Sequence, residues 1–406
     1  MTRGFAAMLL GVAFASSAAA QERQPGPKYG TIRLGPLYLS VVVQATAGYD
    51  TNVYNTPTAL GDQSVTVTPS LQAVLPLTRH ARLRGTGGIV PQYFSKQASE
   101  RHTDVFGTAL AEVDIGPLTA FGGVGGGRYR QRFSLEIDQR LLRHESNDTF
   151  GAKLHVGHRI TATASQLSTT YTFDPTVELD GRPVSVALDR DTVIRRIEVS
   201  FPLTRKTSLV PSVDLLEDRF LHPQPGLLPR TSSQRYAAAL DFSDLAFLNG
   251  RVAAGVRHFS AGQGVAPYDG LFLAVNVGMP FIAHTRLLLS STRDVAYSAT
   301  QATVPGSPRN TYVNSIHRAE VWLNLPLKMM ARPFVGYAEA RYLLPSDQAG
   351  TTPRLDRALS VGGAVLRRLG DHVSMGVTAQ HVTRKSPIDD HQYDGTVYGL
   401  TGEVRF

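Results

Sequence analysis

Arginine at alternate positions is the pattern in this sequence most able to do chemistry. Arg82 and Arg84 lie two apart, and so do Arg128, Arg130 and Arg132. On a strand, residues two apart share one face, with their heads about 7 Å apart along the wall. Guanidinium groups arranged in this way attract anions or pair with carboxylates. Arg196, Arg235, Arg251, Arg257, Arg318, Arg341 and Arg405 fall in similar alternating segments. So do the acids Glu112, Asp114, Glu198, Asp241, Glu320, Glu339 and Glu403. Two roles stay open for these arginines. They could form a ladder of salt bridges that stiffens a wall, or a cationic lining that steers solutes.

Other candidate groups are weaker. Gly122-Gly-Val-Gly-Gly-Gly127 looks like a phosphate-cradling loop, but Arg128 to Phe133 continues a strand pattern where such a loop needs a helix. The glycines fit better as a bend in a wall, or as room for an inward segment. Asp389-Asp390-His391 has the chemistry of a cation site, yet in a polar loop such groups are usually solvated or salt-paired. His155 and His158 are three apart, so on a strand they face opposite sides and share no metal. His102 to Asp104 and Ser165 to Ser168 supply nucleophile and base types without any catalytic motif around them. The expectation is therefore no enzyme, no cofactor, no metal and no nucleic-acid partner.

The elements that must position the arginines are strands. Leu37 to Tyr49 places Leu37, Leu39, Val41, Val43, Ala45, Ala47 and Tyr49 on one parity, with mostly polar residues on the other. Val65 to Leu75 alternates in the same way. Period two means one face in an apolar medium and one in water. With 42% hydrophobic residues and a mean hydropathy of −0.10, the chain is too polar for a bundle of membrane helices. Strands with one oily and one wet face give this average.

Short turns punctuate the strands. Leu75-Pro-Leu-Thr-Arg-His-Ala-Arg-Leu83 recurs as Phe201-Pro-Leu-Thr-Arg-Lys-Thr-Ser-Leu209, with looser copies at Met279 to Leu287 and Leu325 to Pro333. Shorter connections occur at Gly116-Pro117, 157–160, 248–250 and 369–372. Eight short turns at intervals of roughly 36 to 46 residues alternate with longer polar loops. A propeller blade needs four short strands per repeat, and each repeat here offers two long ones. The expected fold is all-β: a transmembrane antiparallel β-barrel of about 18 strands, with 16 as the alternative. Residues 37–406 would form it.

Two further segments fix the ends. Residues 1–20, MTRGFAAMLLGVAFASSAAA, have the charged, apolar and small-residue regions of a signal peptide, with cleavage expected after Ala20. Residues 21–36 read as a periplasmic leader. At the other end, Tyr398, Leu400, Val404 and Phe406 share the apolar parity of the last strand. That strand resembles the C-terminal signal strand of bacterial outer-membrane β-barrels, which the barrel-assembly machinery recognises. Gly402 departs from the large apolar residue usual there.

The opening strand and loop, GPLYLSVVVQATAGYDTNVYNTP, and the following Val67-Thr-Pro-Ser70 resemble the β-barrel porin, or outer-membrane β-barrel protein, family of Gram-negative bacteria. The resemblance covers nearly all of the mature chain. It implies an outer-membrane place, contact with outer-membrane lipid and lipopolysaccharide, and passive passage of small solutes. Some members of that broad group accompany exopolysaccharide gene clusters, so polysaccharide-export partners are the alternative. With a net charge of +8, anionic solutes are the expected preference. The expected lumenal set is Arg82, Arg84, Arg128, Arg130, Arg132, Arg196, Arg257, Arg318 and Arg341.

Overall fold

The computed structural model describes residues 31–406, except 158, 180–181, 223–228, 243–247, 260–266, 283–284, 300–310 and 344–352. The expected signal peptide and most of the expected leader lie outside the described residues. Eighteen antiparallel strands form one closed wall. In chain order they are β1 (Leu37–Asp50), β2 (Asp62–Pro76), β3 (Ala81–Phe94), β4 (His102–Ile115), β5 (Leu118–Gln131) and β6 (Leu141–Val156). Next come β7 (Ile160–Phe173), β8 (Arg190–Pro202), β9 (Thr207–Phe220), β10 (Arg230–Phe242), β11 (Asn249–Phe259) and β12 (Tyr268–Pro280). The last six are β13 (Thr285–Tyr297), β14 (Thr311–Leu325), β15 (Phe334–Leu343), β16 (Leu355–Arg368), β17 (Val373–Lys385) and β18 (Tyr393–Arg405). A three-residue piece, Met329–Ala331, leads into β15, and Thr31–Leu34 folds back on the start of β1.

Each strand pairs with its neighbours in sequence, and β18 pairs with β1 through Val43–Val404 and Ala47–Leu400. Closure leaves no unpaired sheet edge. The short turns all lie at one end. At Gly116-Pro117 the strands are joined by two residues, Ile115 pairing with Leu118. Gly116 there holds φ +57°, the left-handed conformation such a turn requires. Among the described residues, no helix is long and apolar enough to cross a membrane.

The alternation fixes what each face meets. Val65, Ile89, Val124, Phe150, Ile197, Val256, Leu271, Val361, Val377 and Leu400 are all exposed on the outside. They ring the barrel as a continuous apolar belt, far more than a water-soluble surface carries. The inner face carries the polar residues at mid-height. Its end near the long loops is instead filled by buried apolar side chains, among them Phe220, Phe259, Tyr297 and Tyr312.

Candidate functional site: a bridged lumen and its charged wall

The filling at that end comes from two inward segments. The first is the connection between β5 and β6, residues 132–140. It ends where β6 begins, at Leu141. Leu135 packs against Tyr312 of β14 and Tyr342 of β15. Those strands lie nine and eight places round an eighteen-strand wall from β5, at the opposite side. The loop therefore crosses the lumen.

Polar anchors hold it there. Glu136, 1% exposed, accepts hydrogen bonds from Ser298 Oγ and, at 2.7 Å, from the Ala299 amide. Asp138 is paired to both Arg384 and His391. Arg140 pairs with Glu100 and lies over the Phe94 ring. Arg132 donates to the carbonyls of Asp138 and Val53, each at 2.6 Å. The second segment is the helical turn Val184–Leu188. Its Val184, Ala187 and Leu188 join Ile137 of the loop in one buried cluster with Phe220 and Phe259.

His391 thus serves the loop anchor rather than a cation site. Among the described residues no cluster of three metal-ligating side chains occurs. His102 and Asp104 sit together on β4, 3.9 Å apart, while Ser165 to Ser168 lie three strands further round on β7.

Below the bridge, the inner wall carries a chain of ion pairs. Arg196 on β8 holds Asp214 on β9 at 2.7 and 3.0 Å. Arg235 on β10 donates to the same carboxylate at 2.7 Å and to Asp294 on β13 at 3.1 Å. Arg257 on β11 reaches Asp294 at 2.8 Å. The intervening strand β12 contributes Phe272, whose ring lies 4.2 Å below the Arg235 guanidinium. Elsewhere Arg251 sits 3.5 Å from both Glu198 and Asp241. Glu112 takes Arg82 at 2.6 Å and Arg84 at 3.4 Å. Arg318 pairs with Glu320 at 2.9 Å, and Arg405 pairs with Glu403. The linking acids were not marked by the alternation: Asp214 interrupts an apolar run, and Asp294 sits at the end of the polar stretch Ser290-Ser291-Thr292-Arg293.

Three expected lumenal arginines face the other way. Arg128 is the register partner of Val105 and His144. Val105 is 45% exposed on the outer face, as is Val124 at 64% on the same parity of β5. Arg128 and Arg130 therefore point outward, and the glycines between left the parity unmarked. Arg341 also points outward, as does Glu339, because the facing parity of β15, Ala338, Ala340 and Tyr342, is buried against the bridge. Of the β5 triplet only Arg132 is inside. No carboxylate lies within ion-pair distance of it among the described residues. Burial, and then the nearby Arg140 charge, draw its pKa down to about 10, so it remains a cation at neutral pH.

On the last strand Tyr398, Leu400 and Phe406 are exposed on the outer face, and Val404 is half-buried beside Val43. The Phe406 amide donates to the Val41 carbonyl at 2.9 Å.

A closed wall with an outward apolar belt and a polar, bridged interior defines an outer-membrane β-barrel of the porin kind. The chain belongs to the family described as "Putative beta-barrel porin 2", which matches residues 25–406. No curated protein matches it. Among solved structures, it is similar to Pseudomonas aeruginosa OpdK with vanillate at 8% identity and a TM-score of 0.49, covering 91% of this chain and 98% of that one. Acinetobacter baumannii OccAB3 is similar at 8% identity and a TM-score of 0.48, over 92% and 100%. The siderophore receptor PirA from Pseudomonas aeruginosa is similar at 10% identity and a TM-score of 0.44, over 92% and 81%. These likenesses extend to form alone.

Proposed function

We propose that the protein is a passive channel for small solutes, narrowed by the 132–140 loop, with a modest preference for anions. The observation that carries this is the loop's reach to β14 and β15, across an otherwise wide barrel. From a strand spacing of ~4.8 Å and a tilt of ~40°, eighteen strands give a backbone radius of about 18 Å. A segment bridging that space divides it into narrow passages. Because the wall ladder is largely neutralised by its own acids, net charge matters most at the bridge. There Arg132 supplies a cation without a direct carboxylate partner, and a charge in a narrow aqueous passage sets the favoured ion sign.

The remaining parts of the reading follow from membrane placement. Residues 1–20 are removed at Ala20, 21–36 form a leader, and 37–406 insert as the barrel. The barrel-assembly machinery engages the outward face of β18. No enzymatic role is assigned. Export of a polysaccharide, with export partners, would require the bridge to leave the lumen.

The test is single-channel conductance in a planar bilayer. Leu135→Asp combined with Glu136→Gln should release the bridge and raise unit conductance several-fold over wild type. A wild type that does not conduct would refute the channel reading, and equal conductance in both proteins would refute the narrowing by the bridge.

A further inference from the structure

The outer wall is not uniformly apolar. Where β15, β16 and β17 approach the long loops, Arg341, Arg357 and Lys385 are exposed on the outward face. Arg357 is the register partner of Lys385 on one side and of Glu339 on the other. Glu339 orients both arginines, lying 3.2 Å from Arg341 Nη2 and 3.4 Å from Arg357 Nε. The Tyr337 hydroxyl completes the group by donating to Glu339 at 2.8 Å. Glu339 is 14% exposed in its side chain, while Arg341 and Arg357 stay 55% and 53% exposed. Two arginines thus flank one largely covered carboxylate, Lys385 adds a third cation beside Arg357, and both guanidinium groups stay half exposed.

Position decides what such a cluster meets. Below it on the same outward parity come Leu359, Val335 and Val361, exposed and apolar, with Thr383 and the exposed His381 on the β17 side. An occupant must therefore present negative charge and hydrocarbon together. Arginine is unfavourable deep in the lipid face and tolerated near its border, where anionic headgroups lie. Adjacent strands lie ~4.8 Å apart and alternate residues ~7 Å apart, so the three heads span about 10 Å. That footprint suits a tetrahedral phosphate, whose oxygens match the guanidinium fork.

We propose that Arg341, Arg357 and Lys385 form a docking site for a phosphate on the headgroup of the outer-leaflet glycolipid, lipopolysaccharide. The site rests on the outer-membrane placement and is independent of conduction. Long loops lie on the outer side of such barrels, which puts the cluster in that leaflet.

Purified full-length protein in detergent would be titrated with diphosphorylated lipid A, dephosphorylated lipid A and inorganic phosphate, with binding read by native mass spectrometry. The phosphorylated lipid should bind at least ten-fold tighter than the dephosphorylated one. The triple variant Arg341→Gln, Arg357→Gln, Lys385→Gln should abolish that difference. Its heat-modifiable migration and conductance should match wild type, which separates this site from the channel reading. A rim control, Arg219→Gln with Arg230→Gln on β9 and β10, should bind like wild type. Equal binding of the two lipids overturns the proposal, as does a triple variant that binds unchanged. Loss of equal size in the rim control would show general charge rather than a site, and inorganic phosphate competing at the lipid's own affinity would show a soluble ligand.

Discussion

Replacing Asp214 with asparagine tests whether the inner ladder holds the wall together. Asp214 is 1% exposed and takes four charge-assisted hydrogen bonds, two from Arg196 and two from Arg235. Asparagine keeps the shape and removes the charge, leaving two guanidinium groups around one neutral acceptor. Breaking a buried ion pair from one side costs about 3–5 kcal/mol. The retained amide oxygen returns about 1 kcal/mol as a neutral hydrogen bond. The net loss should be about 2–4 kcal/mol, a roughly 30- to 700-fold shift in the unfolding equilibrium. Glu217→Gln on the same strand is the control. It is 39% exposed and sits 3.8 and 3.9 Å from Arg195 and Arg230, so solvent screening limits its effect to about 1 kcal/mol or less. The measurement is equilibrium urea unfolding of the refolded barrel, followed by heat-modifiable gel migration. If Asp214→Asn and Glu217→Gln unfold at the same urea concentration, the ladder does not stiffen the wall.

Other outcomes follow from placement. Arg132→Gln should reduce the chloride preference in a salt-gradient reversal potential, more visibly at low salt where screening is weak. Arg128→Gln with Arg130→Gln should leave that potential unchanged, since both side chains lie outside the lumen; a shift comparable to that of Arg132→Gln would place them inside after all. Deleting Phe406 should lower the yield of membrane-inserted protein, whereas Arg405→Gln, on the inner parity beside Glu403, should not. Equal yields for wild type and the Phe406 deletion would remove the terminal strand from assembly.

The wall was legible in the sequence because every strand had to satisfy two media at once. Strands such as β1 carry that constraint residue by residue, and the Pro-containing turns mark the gaps. Parity failed for identifiable reasons. Between Gly122 and Gly127 only Val124 has a side chain to mark a face, and Arg128 and Arg130 share its parity. On β15 the rule that apolar means outward is inverted. Ala338, Ala340 and Tyr342 are inward because the lumen there is filled by protein and not water. The 132–140 bridge was invisible for a different reason. Its partners Ser298, Arg384 and His391 are distant in sequence, and no local pattern announces such contacts.

Those long separations also order events in time. Glu136 meets Ser298 across 162 positions, and Asp138 meets Arg384 and His391 across 246 and 253. Contacts this far apart carry a large loop-closure entropy until intervening structure shortens the path. β13 and β17 become neighbours of the loop only when the sheet has curled round to meet itself at β1 and β18. The bridge can dock only on a wall that has already closed, so each molecule passes through an open, unbridged barrel on its way to the native state. A pulse of protease during refolding would find residues 132–140 reachable after β1–β18 pairing, and protected last.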